Sequence, residues 1–187
     1  MPASLSPSAA TARCVGLLAV VLGLAACAGT GPTRLAPGSS SGQVMQALGP
    51  PTSVHVLPQP LADPPYLQVD TTGSATRRLE YRGGSFATST YMFDFDANDR
   101  LLASAQVRGE ARFNAIRSGM DQSQVLRTLG HPSTIWHLGF QRQNVWAYRF
   151  ETPFCQWFQV GMGYDGKVVD TAYGPDPMCE HLFDGKL

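Results

Sequence analysis

The run Gly119-Met120-Asp121-Gln122-Ser123-Gln124-Val125-Leu126-Arg127-Thr128-Leu129-Gly130-His131-Pro132 decides the fold, because the chain contains its pattern twice. At an offset of 81 residues, Leu35 to Thr52 aligns without a gap with Ile116 to Ser133. Gly38 matches Gly119, Gln43 matches Gln124, Val44 matches Val125, Leu48 matches Leu129, Gly49 matches Gly130 and Pro51 matches Pro132. An internal repeat of this length implies two copies of one supersecondary unit.

Each copy opens with a short helix. Asp121 is a suitable N-cap and Gln124 follows three residues later, so each side chain satisfies an amide that the first helical turn leaves open. Ser40 and Gln43 repeat the arrangement. Met120 and Val125 occupy the two positions of a hydrophobic staple. Val125, Leu126 and Leu129 form one apolar stripe, as do Val44, Met45 and Leu48. Gly130 and Gly49 are expected to end the helices in the left-handed conformation, with Pro132 and Pro51 blocking continuation. A shorter helix over residues 111–117 is expected to precede the second motif.

Strands follow each helix. In the second copy they are predicted over 144–150, 154–164 and 167–173, with Asp165-Gly166 as a two-residue hairpin turn. Phe154, Gln156, Phe158, Val160, Met162 and Tyr164 share one parity and are expected mostly to face the core. In the first copy strands are predicted over 76–82, 89–95 and 100–107. There the offset is 67, pairing Tyr81 with Tyr148, Arg82 with Arg149, Phe93 with Val160 and Leu101 with Val168. The drop in offset places an insert in the first copy. Residues 57–72, with Pro58, Pro60, Pro64 and Pro65, read as an exposed loop that carries it. The fold class is therefore α+β, in two tandem units. Each unit packs short helices on a three- to four-stranded antiparallel sheet, over residues 35–109 and 110–187.

The N-terminal residues carry a separate message. Val15 to Ala26 is apolar and uncharged, too short to span a bilayer durably and of the length of a signal-peptide core. Leu24-Ala25-Ala26-Cys27 closes it and resembles the bacterial lipobox. Residues 1–26 are thus expected to be a signal peptide and Cys27 the lipidated first residue of the exported chain. The two acyl chains of a diacylglycerol on that thiol, such as palmitates, anchor a protein without a spanning helix. Ala28 follows the cysteine, and by resemblance to lipoproteins of Gram-negative bacteria it implies sorting to the outer membrane. Residues 27–34 read as a flexible tether.

The Gly-Met-x-x-x-x-Val-x-x-x-Leu-Gly-x-Pro pattern of Gly119 to Pro132, the strands after it and the Asp-Gly hairpin resemble the SmpA/OmlA (BamE-like) domain of outer-membrane lipoproteins. Two such units in tandem are similar to the β-lactamase inhibitor protein fold. The resemblance implies helices on an antiparallel sheet and a binding role in outer-membrane protein assembly. Ser39 stands where the second copy has Met120, and Gly42 sits inside the first helix at a cost of about 1 kcal/mol against Ala.

The chemistry-bearing residues are few. Cys155 and Cys179 would meet an oxidising compartment after export, where a disulfide persists. It would close a loop of about 25 residues and stabilise by roughly 3 kcal/mol in the chain-entropy account. Adding His181 gives no standard zinc spacing. Neither His131, expected to face solvent, nor His137 makes a convincing partner for a cysteine nucleophile. Asp94, Asp96, Asn98 and Asp99 lack the glycine and closing glutamate of a calcium loop and read as a polar hairpin tip with Asp on the solvent side. Trp136, Trp146, Tyr148 and Phe158 read as core. Trp157 has the parity opposite to Phe158, so it is either exposed or covers Cys155. With Arg149, Gln156 and Arg142 near it in sequence, Trp157 marks a candidate partner-binding face.

The chain has 14 Lys+Arg and 14 Asp+Glu, a formal net charge of zero. No basic patch exists to neutralise phosphates, so nucleic acid is not an expected partner. There is no phosphate-binding loop and no nucleophile elbow. The expectation is a lipid-anchored, non-enzymatic binding or scaffold protein of the outer membrane, facing the periplasm, with a protein partner and no cofactor or metal. The alternative is an inhibitor-type module that binds a periplasmic enzyme.

Overall fold

A computed structural model describes residues 35–58 and 75–179. The expected signal peptide, Cys27, the tether and all but the first two residues of the proline-rich insert lie outside the described residues. In chain order the elements are α1 (Ser41–Leu48), β1 (Ser53–Val56), β2 (Arg77–Arg82), β3 (Thr90–Phe95), β4 (Leu101–Gln106), α2 (Glu110–Phe113), α3 (Gln122–Leu129), β5 (Thr134–Leu138), β6 (Gln143–Arg149), β7 (Gln156–Gly163) and β8 (Val168–Pro175). They form two separate four-stranded antiparallel meanders, β1-β2-β3-β4 and β5-β6-β7-β8. This is an α+β arrangement in two tandem units. No helix among the described residues is long and apolar enough to cross a membrane.

The repeat holds down to single hydrogen bonds. Ser40 and Asp121 each close a capping box with Gln43 and Gln124. The Gly38 amide donates to Leu101 O and the Gly119 amide to Val168 O, both at 2.8 Å. The Thr52 amide donates to Glu80 O and the Ser133 amide to Ala147 O, both at 2.7 Å. Tyr81 donates its hydroxyl to Gly49 O at 3.0 Å, and Tyr148 does the same to Gly130 O at 3.2 Å. Asp99, in the place of Gly166, takes its positive φ as well (61° and 76°).

Strand parity divides each sheet into two faces. In the first unit Leu79, Phe93, Phe95 and Leu101 pack with Val44 of α1, and Leu35, Leu48, Tyr81 and Tyr91 close the cluster. In the second, Trp146, Tyr148, Phe150, Phe158, Val160, Met162 and Val168 pack with Phe113, Ile116, Val125 and Leu129. Phe113 stacks on Phe158 with centroids 4.3 Å apart and meets Phe150 edge-on at 5.0 Å. Met120 packs on this core as the staple requires. The two ends of the β7 parity set leave it: Phe154 and Tyr164 are exposed.

Three expectations need correction. Gly49 and Gly130 have φ of 83° and 74° but ψ of −170° and −167°. That is the extended positive-φ region that only glycine populates, and not the left-handed helix. The chain leaves each helix straight into the edge strand of its sheet. The helix expected over residues 111–117 is only the single turn of α2, followed by tight turns through Ile116. Asp94 does not face solvent. It is buried and holds Arg78 through two hydrogen bonds, from Nε at 2.5 Å and Nη2 at 2.7 Å.

Candidate functional site

The two sheets have equivalent outer faces, turned away from their own helices, and these meet different fates. On the first sheet, Arg78, Glu80, Thr90, Met92 and Asp94 are all buried. The end of α3 from the second unit lies against them. Arg78 donates to Arg127 O, and Arg82 donates to Pro132 O at 2.5 Å. Glu80 has no exposed surface. Its carboxylate accepts from the His131 amide at 2.7 Å, the His131 ring at 2.8 Å and the His55 ring at 2.9 Å. Burial by itself would raise the Glu80 carboxyl, but these hydrogen bonds and the nearby His131 ring hold it below its ordinary range. His131 was expected in solvent, and its side chain stays partly exposed while its ring and amide turn onto this carboxylate.

On the second sheet the matching positions are Val145, Ala147, Trp157, Gln159 and Gly161, with Thr134 and Trp136 on β5, and Asp170, Ala172 and Gly174 on β8. An open trough of about 230 Å³ runs along this face. Its polar wall is Gln141, Gln143, Gln159 and Asp170, above a floor that includes Val145, Gly161 and Ala172. Gly161 and Ala172 keep the floor low, and the Asp170 and Gln143 side chains reach over Gly161. A β-carbon on Gly161 would lie 2.9 Å from Gln143 Oε1.

Trp157 is neither exposed nor packed on a helix. It is 6% accessible, stacked on Trp136 with centroids 5.1 Å apart. The Arg149 guanidinium covers it at 5.2 Å from the ring centre. Its Nε1–H has no hydrogen-bond partner among the described residues. Arg149 is itself fixed, donating from Nε at 2.6 Å and Nη2 at 2.9 Å to the two Asp176 oxygens, and from Nη1 at 2.8 Å to Ser85 O of the first unit. It also lies 5.6 Å over the exposed ring of Phe86. Burial would raise the Asp176 carboxyl, and the Arg149 hydrogen bonds outweigh it and hold it low.

Of the four residues singled out for partner binding, the structure therefore joins two, Trp157 and Arg149. Gln156 has the opposite parity and lines a separate cavity with Phe154, Tyr173 and the two cysteines. Arg142 is exposed at the β5–β6 turn, at the other end of β6 from Arg149, over the Tyr164 ring. Trp136 and Asp176 complete the site and were not picked out from sequence as parts of it. The usable signal was the parity of Ala147, Gly161, Ala172 and Gly174, small residues facing the side that carries Trp157. Cys155 and Cys179 are free thiols that adjoin each other. The carboxylates of the hairpin tip all have structural partners: Asp96 caps the amides of Asn98 and Arg100, and Asp99 pairs with Arg77. Among the described residues no cluster of three His, Cys, Asp or Glu is arranged to hold a metal ion.

Neither a family model nor a curated protein matches this chain. Among solved structures, the crystal structure of YjgB, a DUF4309 family protein from Bacillus subtilis subsp. subtilis str. 168, aligns at 12% identity over 73% of this chain and 78% of that one. The TM-score is 0.26, too loose a superposition to carry an inference.

Proposed function

We propose that this protein is a lipid-anchored, non-enzymatic binding protein of the bacterial outer membrane, facing the periplasm, that docks a protein partner on the outer face of its second sheet in support of envelope assembly. One observation carries the docking surface. The two units are copies, and the outer face of the first is filled by the end of α3. The same face of the second carries a trough of about 230 Å³, lined by its own side chains, beside Trp136, Trp157 and Arg149. Large aromatics and arginine are the side chains that most often anchor protein interfaces. The membrane address rests on the lipobox and on the resemblance to the SmpA/OmlA domain.

The test is photo-crosslinking in cells from positions 136 and 172 on this face, with position 46 on α1 as control. Adducts with a component of the outer-membrane assembly machinery are expected. An adduct with a periplasmic hydrolase, whose rate then falls when the soluble domain is added, replaces the scaffold with an inhibitor-type module. No adduct above the α1 control removes this face as a docking surface.

A further inference from the structure

At the corner where β7 begins and β8 ends, the backbone draws residue 155 and residues 176–179 together. The Asp176 amide donates to Cys155 O at 2.9 Å, and the Cys179 amide donates to Asp176 O at 2.8 Å. Both thiols are free and half-exposed. They share the wall of one cavity of about 320 Å³. Cys155 holds a φ of 49°, a region that a residue with a β-carbon enters only where its surroundings keep it there. Asp176, between the two cysteines, grips Arg149 with both carboxylate oxygens. Arg149 in turn reaches Ser85 and Phe86 in the first unit.

We propose that Cys155 and Cys179 are joined in a disulfide that latches the end of β8, and that through Asp176 it holds Arg149 in its bridge between the two units. The latch rests on the export reading above for its oxidant, which is a disulfide-bearing protein or small molecule. One thiolate of the pair attacks a sulfur of that oxidant and displaces the other sulfur as a thiolate. The second thiol of the pair, as its thiolate, then attacks the mixed disulfide and releases the oxidant's remaining sulfur as a thiolate, so both of the oxidant's sulfurs end as thiols. This chain loses two protons and two electrons, and the oxidant takes up both. The adjoining Cys155 thiol pushes the Cys179 thiol above its ordinary range.

The full chain, extracted from membranes in detergent, is alkylated before and after reduction, and the peptides bearing residues 155 and 179 are weighed. Both are expected to stay unlabelled until reductant is added. Hydrogen exchange is then compared between oxidised and reduced protein. Reduction is expected to speed exchange several-fold at residues 176–179 and at residues 85–87, and C155S/C179S is expected to match the reduced form. Thiols that label at once and fail to close in oxidised glutathione overturn the latch. Thiols that label at once but close in glutathione uphold the latch and overturn the export reading. Exchange at residues 85–87 that ignores reduction overturns the link through Arg149.

Discussion

Glu80 shows how much one side chain can decide. It sits on β2 where the repeat has Ala147, so nothing in the strand pattern marks it as special. Its carboxylate lies against Gly130, and a β-carbon there would come within 2.7 Å of Glu80 Oε1 and 3.0 Å of Thr90 Cγ2. Gly130→Ala combines that clash with a φ of 74° and is expected to cost at least about 2 kcal/mol in urea unfolding. Gly49→Ala meets the same backbone penalty without a neighbour within contact range, and should cost less. Because Glu80 is held below its ordinary value of 4.5, it contributes stability above that pH and returns it as acid protonates the folded form. Glu80→Gln is therefore expected to cost about 1–2 kcal/mol at neutral pH, with the deficit shrinking as pH falls below about 4. Equilibrium unfolding of both proteins across pH 3–7 checks this, and a deficit that does not change with pH removes the ionic role.

At the scale of elements, most of the fold was legible. The capping boxes at Ser40/Gln43 and Asp121/Gln124 start both helices where the side-chain spacing requires, since the open amides of a first turn need local partners. Asp121→Ala and Ser40→Ala are each expected to cost about 1 kcal/mol, read by helical circular dichroism during denaturation. Six of the strands lie within two residues of their predicted bounds. The edge strands β1 and β5 were not assigned. β1 has only four residues, with Val54 and Val56 exposed, and β5 leaves Ile135 exposed, so neither buries an apolar face. Backbone pairing alone makes them strands. Tyr81 and Tyr148 tie each sheet to its helix end. Burial raises both phenols, and Tyr148 stays protonated throughout the working pH range. Tyr148→Phe, at a position with no exposure, should cost about 1 kcal/mol by stranding Gly130 O.

At the scale of the molecule, the two units are joined by polar groups and not by a shared apolar core. Arg108 is the hub. It is buried and donates to Ala87 O at 2.9 Å, Ser133 Oγ at 2.8 Å, Arg149 O at 3.3 Å and His131 O at 3.0 Å. Burial lowers the guanidinium to about 10, so it stays charged at neutral pH. Arg108→Met keeps much of the volume and leaves these acceptors unpaired. It is expected to cost about 3 kcal/mol and to split the heat-capacity peak into two, one per unit. A single peak at lower temperature would mean that the cores, and not this hub, couple the units. By itself the sequence determined the repeat, the helix caps, most of the strands and which of their faces look inward, because each depends on neighbours within a few residues or on a local period. Only the tertiary structure decided that Arg78, Glu80 and Asp94 are interior, that His131 turns its partly exposed ring onto Glu80, that Trp157 is buried against Trp136 and Arg149, and that one outer face takes the end of α3 while its copy carries a trough. Those outcomes depend on which unit packs against which, and a polar residue on a strand reads the same whether it meets water or the end of another helix.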